Sequence, residues 1–477
     1  MFLPERPEQT YSDNIVPAFL FYMDKFIQAM NTSYTANGAL TNATTFDKCL
    51  DFFSVAGSRR DMKETFYEAF RENPQLALRI LFWSRDCRGG AGSRYNFILV
   101  MQSLQSTHPD IFTKVFPYIP FYGYWKDLYK LNPTKEVVSL IANMLKLESD
   151  HSLCAKYAPR KGYWAYLLRK KLNMDAKSYR KFVVAKTQVV EQLMCANKWA
   201  NIDYYTVPSI AALRYASTFQ KHDSERYNAY IDAVTQGQEK INAGVLTPAD
   251  IINQITEWHA KQALWENLPN YMEGCTERIL PICDVSGSMT CGNGKVKPMD
   301  VSIGLGIYIA EHNVGPFHNI MMSFSERPRF FSFDDSDDLK TKVYRVEHQV
   351  GYNTNIQAVF DLLLTRAKAH NLTNEDMPTK LLLISDMDFD NAAENYTNFE
   401  VIKAKYAAAD YKVPGIVFWN VNGRPGNCPA TKYDFNIAFI SGYSTPIVKN
   451  VLGGRILNPI EIMLDTVNSE RYKYITL

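Results

Sequence analysis

From Phe46 to about residue 275, apolar side chains recur at helical spacing in stripe after stripe, separated by short polar links. The stripes predict helices from Asp61 or Thr65 through Phe70, and then over 75–84, 93–105, 110–118, 134–147, 176–197, 210–220, 224–237 and 247–262. Asn73-Pro74 is a helix-start signal, and Ser209 stands where an N-cap would precede Ile210. Ahead of these, 15–30 reads as a helix broken near its start by Pro17, and the polar stretch 31–45 reads as a loop. Strand signals are nearly absent before residue 278. Many short helices with tight links predict a HEAT-like helical-repeat array, without a strict sequence repeat.

The pattern then changes. Short apolar runs at 280–284, 320–324, 330–333, 380–386, 416–420 and 437–441 read as strands. Helical stripes lie between most of them, at 299–312, 339–346, 356–370 and 399–411. Strands alternating with helices predict a parallel, doubly wound, Rossmann-like sheet. The tail, 459–475, reads as one more helix, and its Tyr472 and Tyr474 suggest that it packs back on the first half. The expected architecture is therefore multidomain, an α-helical domain over 1–275 followed by an α/β domain over 276–477, with the hinge near 270–278. A length of 477 residues, too great for one ordinary core, agrees.

Composition narrows the class. With 46% hydrophobic and 21% charged residues the chain reads as folded and soluble, and no run approaches a membrane span. The first residues, Met1 to Pro7, lack the basic start and apolar core of a secretory signal, and the eight cysteines include no CxxC pair. Both features lead us to expect a reducing compartment: the cytoplasm, or a host's cytoplasm if the chain is viral. The net charge of +2 hides an asymmetry, because residues 1–280 hold 33 Lys/Arg against 28 Asp/Glu. The excess is sharpest between Lys156 and Lys198, where 11 basic residues face only Asp175 and Glu191.

Three loops carry the candidate chemistry. Ile279 to Ile282 runs into Asp284-Val285-Ser286-Gly287-Ser288, an Asp-x-Ser-x-Ser turn ahead of a helix. Gly351-Tyr352-Asn353-Thr354-Asn355 precedes an amphipathic helix, and Leu381-Leu382-Leu383-Ile384-Ser385-Asp386 is a buried strand ending in a carboxylate. Taken alone, the first loop is explained as well by Asp284 closing a turn and the serines capping the next helix. The three in order resemble the metal-ion-dependent adhesion site of von Willebrand factor A domains. The resemblance implies that Asp284, Ser286, Ser288, Thr354 and Asp386 converge on one Mg²⁺, with Mn²⁺ or Ca²⁺ as other candidates. The chemistry agrees: Mg²⁺ takes hard oxygen ligands and keeps some water. Two carboxylates leave it under-neutralised, so an open position would attract an acidic side chain or phosphate from a partner. Loops at the carboxyl ends of parallel strands are also where open sheets bind ligands.

The first half has its own blocks: Arg85-Asp86-Cys87-Arg88-Gly89-Gly90-Ala91-Gly92, Tyr122-Gly123-Tyr124-Trp125-Lys126-Asp127-Leu128, Ala155-Lys156-Tyr157-Ala158-Pro159, Asn197-Lys198-Trp199-Ala200-Asn201-Ile202-Asp203-Tyr204, Val207-Pro208-Ser209 and Phe219-Gln220-Lys221-His222-Asp223. Their order resembles the TROVE module of Ro autoantigens. It is more similar still to an uncharacterised plant, microbial and viral family that joins a TROVE-like helical part to a von Willebrand A part. The resemblance covers roughly residues 40–465. It implies a ring of helical repeats closed by the A domain, binding small non-coding or misfolded RNA as a scaffold and not as an enzyme. Independently of it, Lys156, Arg160, Lys161, Arg169, Lys170, Lys171, Arg180 and Lys181 are candidate phosphate contacts. Tyr157, Tyr163, Trp164, Tyr166 and Tyr179 interleave with them as candidate base-stacking platforms. The competing explanation is a solvated charged face over core aromatics. A second function from another class is a metal-dependent protein-interaction scaffold, in a viral assembly for instance.

Other motifs lead elsewhere. Arg88 to Ser93 lacks the Gly-Lys-Ser/Thr of a phosphate loop and reads as a tight link, with Arg85 and Arg88 as candidate pore-lining residues. Asp386-Met387-Asp388-Phe389-Asp390 mimics an EF-hand start, but Asn391 stands where Gly is required and Thr397 where Glu is. His222-Asp223 and Trp125-Lys126-Asp127 read as structural, Cys283 as buried and inert, and 334–338 as a solvated acidic loop. No Gly-x-Ser-x-Gly, HExxH or Cys/His nucleophile pairing occurs. Metal-dependent phosphoester hydrolysis is disfavoured, since no general base or second metal site accompanies the first.

Overall fold

The computed structural model describes residues 30–147, 153–187, 189–254, 257–291, 296–325, 327–347, 354–390, 398–445, 447 and 458–477. The helix expected at 15–30, all but its last residue, residues 351–353 of the second loop, and Asn391 and Thr397 lie outside these residues.

The first half is helical, and its caps show why. Asp47 accepts from the Leu50 N–H to start Lys48–Val55, Asn73 accepts from Leu76 N–H ahead of Pro74–Arg85, and Thr134 caps Lys135–Lys146. In Lys135–Lys146 the residues Val137, Val138, Ile141, Ala142 and Leu145 form the buried stripe. Three expectations need correction. The stretch 176–197 is two helices, Ala176–Ala185 and Val190–Cys195, because the chain turns extended at Val189. The stretch 247–262 is likewise two, Pro248–Asn253 and Trp258–Glu266, with Gln254 extended after the first. Ser209 is the first residue of its helix, and Pro208 occupies the capping position.

The stretch 31–45 is no loop but a hairpin: β1 (Thr32–Tyr34) pairs antiparallel with β2 (Leu40–Asn42). Its turn is closed by Thr35 N–H donating to Ala39 C=O at 2.9 Å and Gly38 N–H donating to Thr35 C=O at 3.1 Å. Gly38 sits at φ +84°, a left-handed position that favours glycine. Strands of three residues, whose one pair of larger apolar side chains is Tyr34 and Leu40, give no readable period.

The second half is built on a mixed, mostly parallel sheet. Its strands are β3 (Ile279–Asp284), β4 (Ile320–Phe324), β5 (Phe330–Ser332), β6 (Lys380–Ser385), β7 (Gly415–Asn420) and β8 (Ile437–Ser441). They lie in the order β5-β4-β3-β6-β7-β8, and only β5, at one edge, runs antiparallel. β3, β6, β7 and β8 are buried throughout, as strands of a parallel sheet covered by helices must be. Helix Pro298–His312 packs on β3 so closely that a Cβ on Gly306 would collide with the Cys283 thiol. Because β3 and β6 are parallel neighbours in the register Cys283↔Ile384, Asp284 comes to lie beside Ser385 at their carboxyl ends, and Asp386 follows one residue later.

The two halves interlock around one continuous apolar cluster. The hairpin bridges to the second half at Gly38↔Asp390 and Asn42↔Cys428. Ser441 at the end of β8 donates to Phe53 C=O at 2.8 Å and accepts from Gly57 N–H at 2.9 Å. There the backbones approach so closely that a Cβ on Gly57 would collide with Gly442. The tail is a helix only over Pro459–Val467, followed by a short turn at Glu470–Tyr472, and Tyr472 does return to the first half, donating to Asp86 at 3.0 Å.

Candidate metal centre and basic surface

At the end of β3, Asp284 accepts from Ser286 N–H at 2.9 Å through Oδ1, which bends the chain into the turn. The hydroxyls of Ser286 and Ser288 then lie 3.0 Å apart. Ser385, the last residue of β6, donates its hydroxyl to Asp284 Oδ2 at 2.6 Å and accepts from Met387 N–H at 3.0 Å. Met387 is left-handed at φ +66°, and the chain reverses so that Asp388 N–H donates to Asp386 Oδ1 at 3.3 Å. Thr354 donates to Asp388 C=O at 2.7 Å, while Asp390 N–H donates to Thr354 C=O at 2.9 Å. Hydrogen bonds thus join the three loops.

Asp284, Ser286, Thr354 and Asp386 are all buried, whereas Gly287, Ser288 and Thr290 are exposed and form the open side. Burial, then the nearby Asp386, pushes the Asp284 carboxyl up to about 7. Burial, then Asp388, raises that of Asp386, against the opposing pull of Ser288. Among the described residues no Lys, Arg or His forms a salt bridge with either, although Arg424 stands 3.6 Å from Asp388. Two adjacent buried carboxylates surrounded by hydroxyls and, among the described residues, ion-paired with no cation, only the more distant Arg60 charge acting on Asp386, are a donor set suited to a hard divalent cation. The Cys283 thiol beside them is fully buried and pushed up to about 12, so it offers no thiolate.

Two residues of this arrangement escaped the sequence reading. Ser385 is one residue from an expected ligand, but nothing in a strand terminus marks it as the partner of Asp284. Asn37, from the hairpin, donates through Nδ2 to Thr354 Oγ1 at 3.2 Å and to Asp388 C=O at 2.7 Å. Asn-Gly signals a hairpin turn, but no sequence pattern points across 317 residues to Thr354.

Lys156, Arg169, Lys170, Lys171, Arg180 and Lys181 lie on successive short helices, and Arg160 and Lys161 lie in the link ahead of Gly162–Lys171. Arg160, Lys161, Lys170, Lys171, Arg180 and Lys181 are exposed, Arg169 is half-buried, and none of these seven forms a salt bridge among the described residues. Lys156 differs, because it is paired with Glu191 at 2.9 Å. Of the interleaved aromatics only Tyr163 and Tyr166 are exposed; they lie one turn apart on helix Gly162–Lys171, with ring centroids 6.4 Å apart and planes 18° from parallel. The Arg169 guanidinium stands 5.3 Å over the Tyr166 ring. Tyr179 is in the core, bonded to Pro159 C=O, and Trp164 packs edge-on against Tyr129, so these two are structural.

Other candidates resolve into packing. Arg85 lines no pore: it is buried and paired with Asp127. His222 stacks on Trp199 with planes 6° apart, while Asp223 accepts from the Tyr204 hydroxyl at 2.7 Å and from Arg226 at 2.9 Å. In the acidic loop, Asp337 pairs with Arg345 and Asp338 accepts from Thr341 N–H. Among the described residues no helix is long and apolar enough to cross a membrane.

Two family models match the chain: domain of unknown function DUF2828 over residues 35–133 and 132–277, and domain of unknown function DUF7788 over residues 278–473. The chain is 26% identical to the uncharacterized protein L728 of Acanthamoeba polyphaga mimivirus, over an alignment covering 91% of this chain and 87% of that protein. The crystal structure of the Deinococcus radiodurans RO (RSR) protein aligns over 90% of this chain and 100% of that one, with a TM-score of 0.47 and 14% identity.

Proposed function

The chain belongs to the DUF2828 family, and from its own residues we propose that it is an RNA-binding scaffold with a divalent-cation site. The observation that carries the first part is helix Gly162–Lys171. Tyr163 and Tyr166 expose near-parallel rings beside Arg160, Lys161, Arg169, Lys170 and Lys171, none of them in a salt bridge among the described residues, and Arg180 and Lys181 follow on the next helix. Aromatic faces next to uncompensated cations suit an unpaired strand or loop, whose bases stack while its phosphates release counterions. In this reading the helical half is a TROVE-like repeat ring, the RNA is small and non-coding or misfolded, the compartment is cytoplasmic, and the role is binding rather than catalysis.

The second half is read as a von Willebrand A-like domain, in which Asp284, Ser286, Ser288, Thr354 and Asp386 would hold Mg²⁺, or Mn²⁺ or Ca²⁺ in its place. A bound cation would supply charge compensation for the two carboxylates and an open position facing Ser288. This chain's residues do the rest: Ser385 orients Asp284, and the Asp388 backbone orients Asp386 and Thr354. That open side also favours a second reading, a scaffold that recruits an acidic protein ligand through the cation.

Gel shifts with single-stranded and duplex RNA across a salt series test the first reading. Binding that weakens steeply with salt, and is lost when Lys170, Lys171, Arg180 and Lys181 are neutralised, supports it. Binding indifferent to both would sink it. A protein partner released by chelator, with no nucleic acid co-purifying, would favour the second.

A further inference from the structure

The hairpin between β1 and β2 reaches the cation-site loops with its turn. The Thr35 hydroxyl donates to Phe389 C=O at 2.6 Å, Ala36 N–H donates to Asp388 Oδ1 at 3.3 Å, and Asn37 Nδ2 donates to both Asp388 C=O and Thr354 Oγ1. On the far side, Asn427 Nδ2 holds Met387 C=O at 2.7 Å and Asp388 Oδ1 at 3.3 Å. The loop carrying Asp386 is thus gripped by an element 350 residues earlier in the chain as well as by its own neighbours.

The Thr354 hydroxyl has one proton and two lone pairs. Its proton goes to Asp388 C=O, and one lone pair accepts from Asn37. A single lone pair is left for any further partner. We infer that Asn37 is a positioning residue of the cation site, a side chain lent by the N-terminal hairpin that fixes the Thr354 hydroxyl so that its remaining lone pair serves a divalent cation. The inference rests on the metal reading above. It makes the site composite, assembled from the hairpin as well as from the sheet. It also implies a reciprocal effect: if hairpin docking favours cation binding, cation binding must favour hairpin docking by the same factor. Asn37 itself is exposed, so its removal leaves the core intact.

The test is Mg²⁺ and Mn²⁺ titration calorimetry on the full chain, as wild type, Asn37→Ala and Asp284→Asn, with hydrogen exchange of amides 35–42 measured with and without Mg²⁺. Loss of an outer partner to a metal ligand weakens binding by roughly 10- to 100-fold, so Asn37→Ala is expected to bind at least about tenfold more weakly. Its melting temperature in chelator should stay near that of wild type, and Mg²⁺ should slow exchange in the wild-type hairpin. An Asn37→Ala protein that binds Mg²⁺ as tightly as wild type, or that melts earlier in chelator with affinity unchanged, would reduce Asn37 to a structural clip and overturn the inference. If wild type binds neither ion, or Asp284→Asn binds equally well, the metal reading itself fails and the inference goes with it.

Discussion

Arg85 and Asp127 form a buried ion pair in which Nε and Nη2 of the guanidinium both donate to one carboxylate oxygen, at 2.9 and 2.6 Å. The other oxygen of Asp127 accepts from Arg94 Nε at 2.5 Å, and Tyr124 N–H donates to the first at 3.0 Å. This one carboxylate ties the Arg85-Asp86-Cys87-Arg88 link to the Trp125-Lys126-Asp127 turn. Asp127→Ala would leave the Arg85 charge buried and unpaired. Breaking a buried pair from one side costs about 3–5 kcal/mol, so we expect a large fall in the urea midpoint of tryptophan fluorescence. Arg94→Ala removes a half-exposed partner and should cost no more than about 1 kcal/mol. Equal losses in the two variants would contradict this account.

The tail provides a second anchor. Asp86, fully buried, accepts from Arg471 and from the Tyr472 hydroxyl, and Tyr122 donates to Arg471 C=O at 2.7 Å. Burial and the Asp86 carboxylate hold the Tyr472 phenol well above its usual range, so it remains a donor at any physiological pH. Tyr472→Phe deletes one hydrogen bond to a charged group, worth about 1.5–3 kcal/mol. Faster proteolytic removal of the last residues, with the rest of the chain still resistant, is the expected outcome in a timed digest.

How much of this the sequence revealed depends on where each partner lies. The strands β3, β6, β7 and β8 were legible because a buried parallel strand is a continuous apolar run, as in Leu381 to Ile384. The order of the three loops was legible because each is local: Asp284, Ser286 and Ser288 lie within five residues. The hairpin was not, since Thr32–Tyr34 and Leu40–Asn42 are short, mostly polar and stabilised by loops of the other half. Arg85 looked exposed because its partner is 42 residues away, and a charge run cannot announce a buried pair. Tyr179 and Trp164 lie close in sequence to Tyr163 and Tyr166, and only packing separates the buried Tyr179 and half-buried Trp164 from the two exposed rings.

The carboxylate pair predicts a cation-dependent melting temperature. A ligand that binds only the folded chain at 100 times its Kd stabilises it by about 2.7 kcal/mol. Thermal scans in excess Mg²⁺ should therefore rise above scans in chelator for wild type, and converge for Asp386→Asn. Asp284→Asn should melt no lower than wild type in chelator, because removing one of two adjacent buried charges relieves their repulsion. A variant markedly less stable than wild type without any cation would show that the carboxylates serve the fold and not an ion.

The two exposed tyrosines and the lysines around them should fail in different ways. Neutralising Lys170, Lys171, Arg180 and Lys181 removes four phosphate contacts at most, so the slope of log affinity against log salt should flatten by up to about 2.8 for a single strand, at roughly 0.7 per contact. Tyr163→Ala with Tyr166→Ala removes rings and no charge. Each lost stack costs about 1–3 kcal/mol, while the salt slope stays near that of wild type. Arg169 separates the cases further, since its guanidinium lies over Tyr166 and loses that support when the ring goes. Tyr166→Phe keeps the face and should bind as wild type does. If instead the double tyrosine variant flattens the salt slope as the lysine variant does, the rings only hold the cations in place. If neither set changes binding, RNA does not use helix Gly162–Lys171.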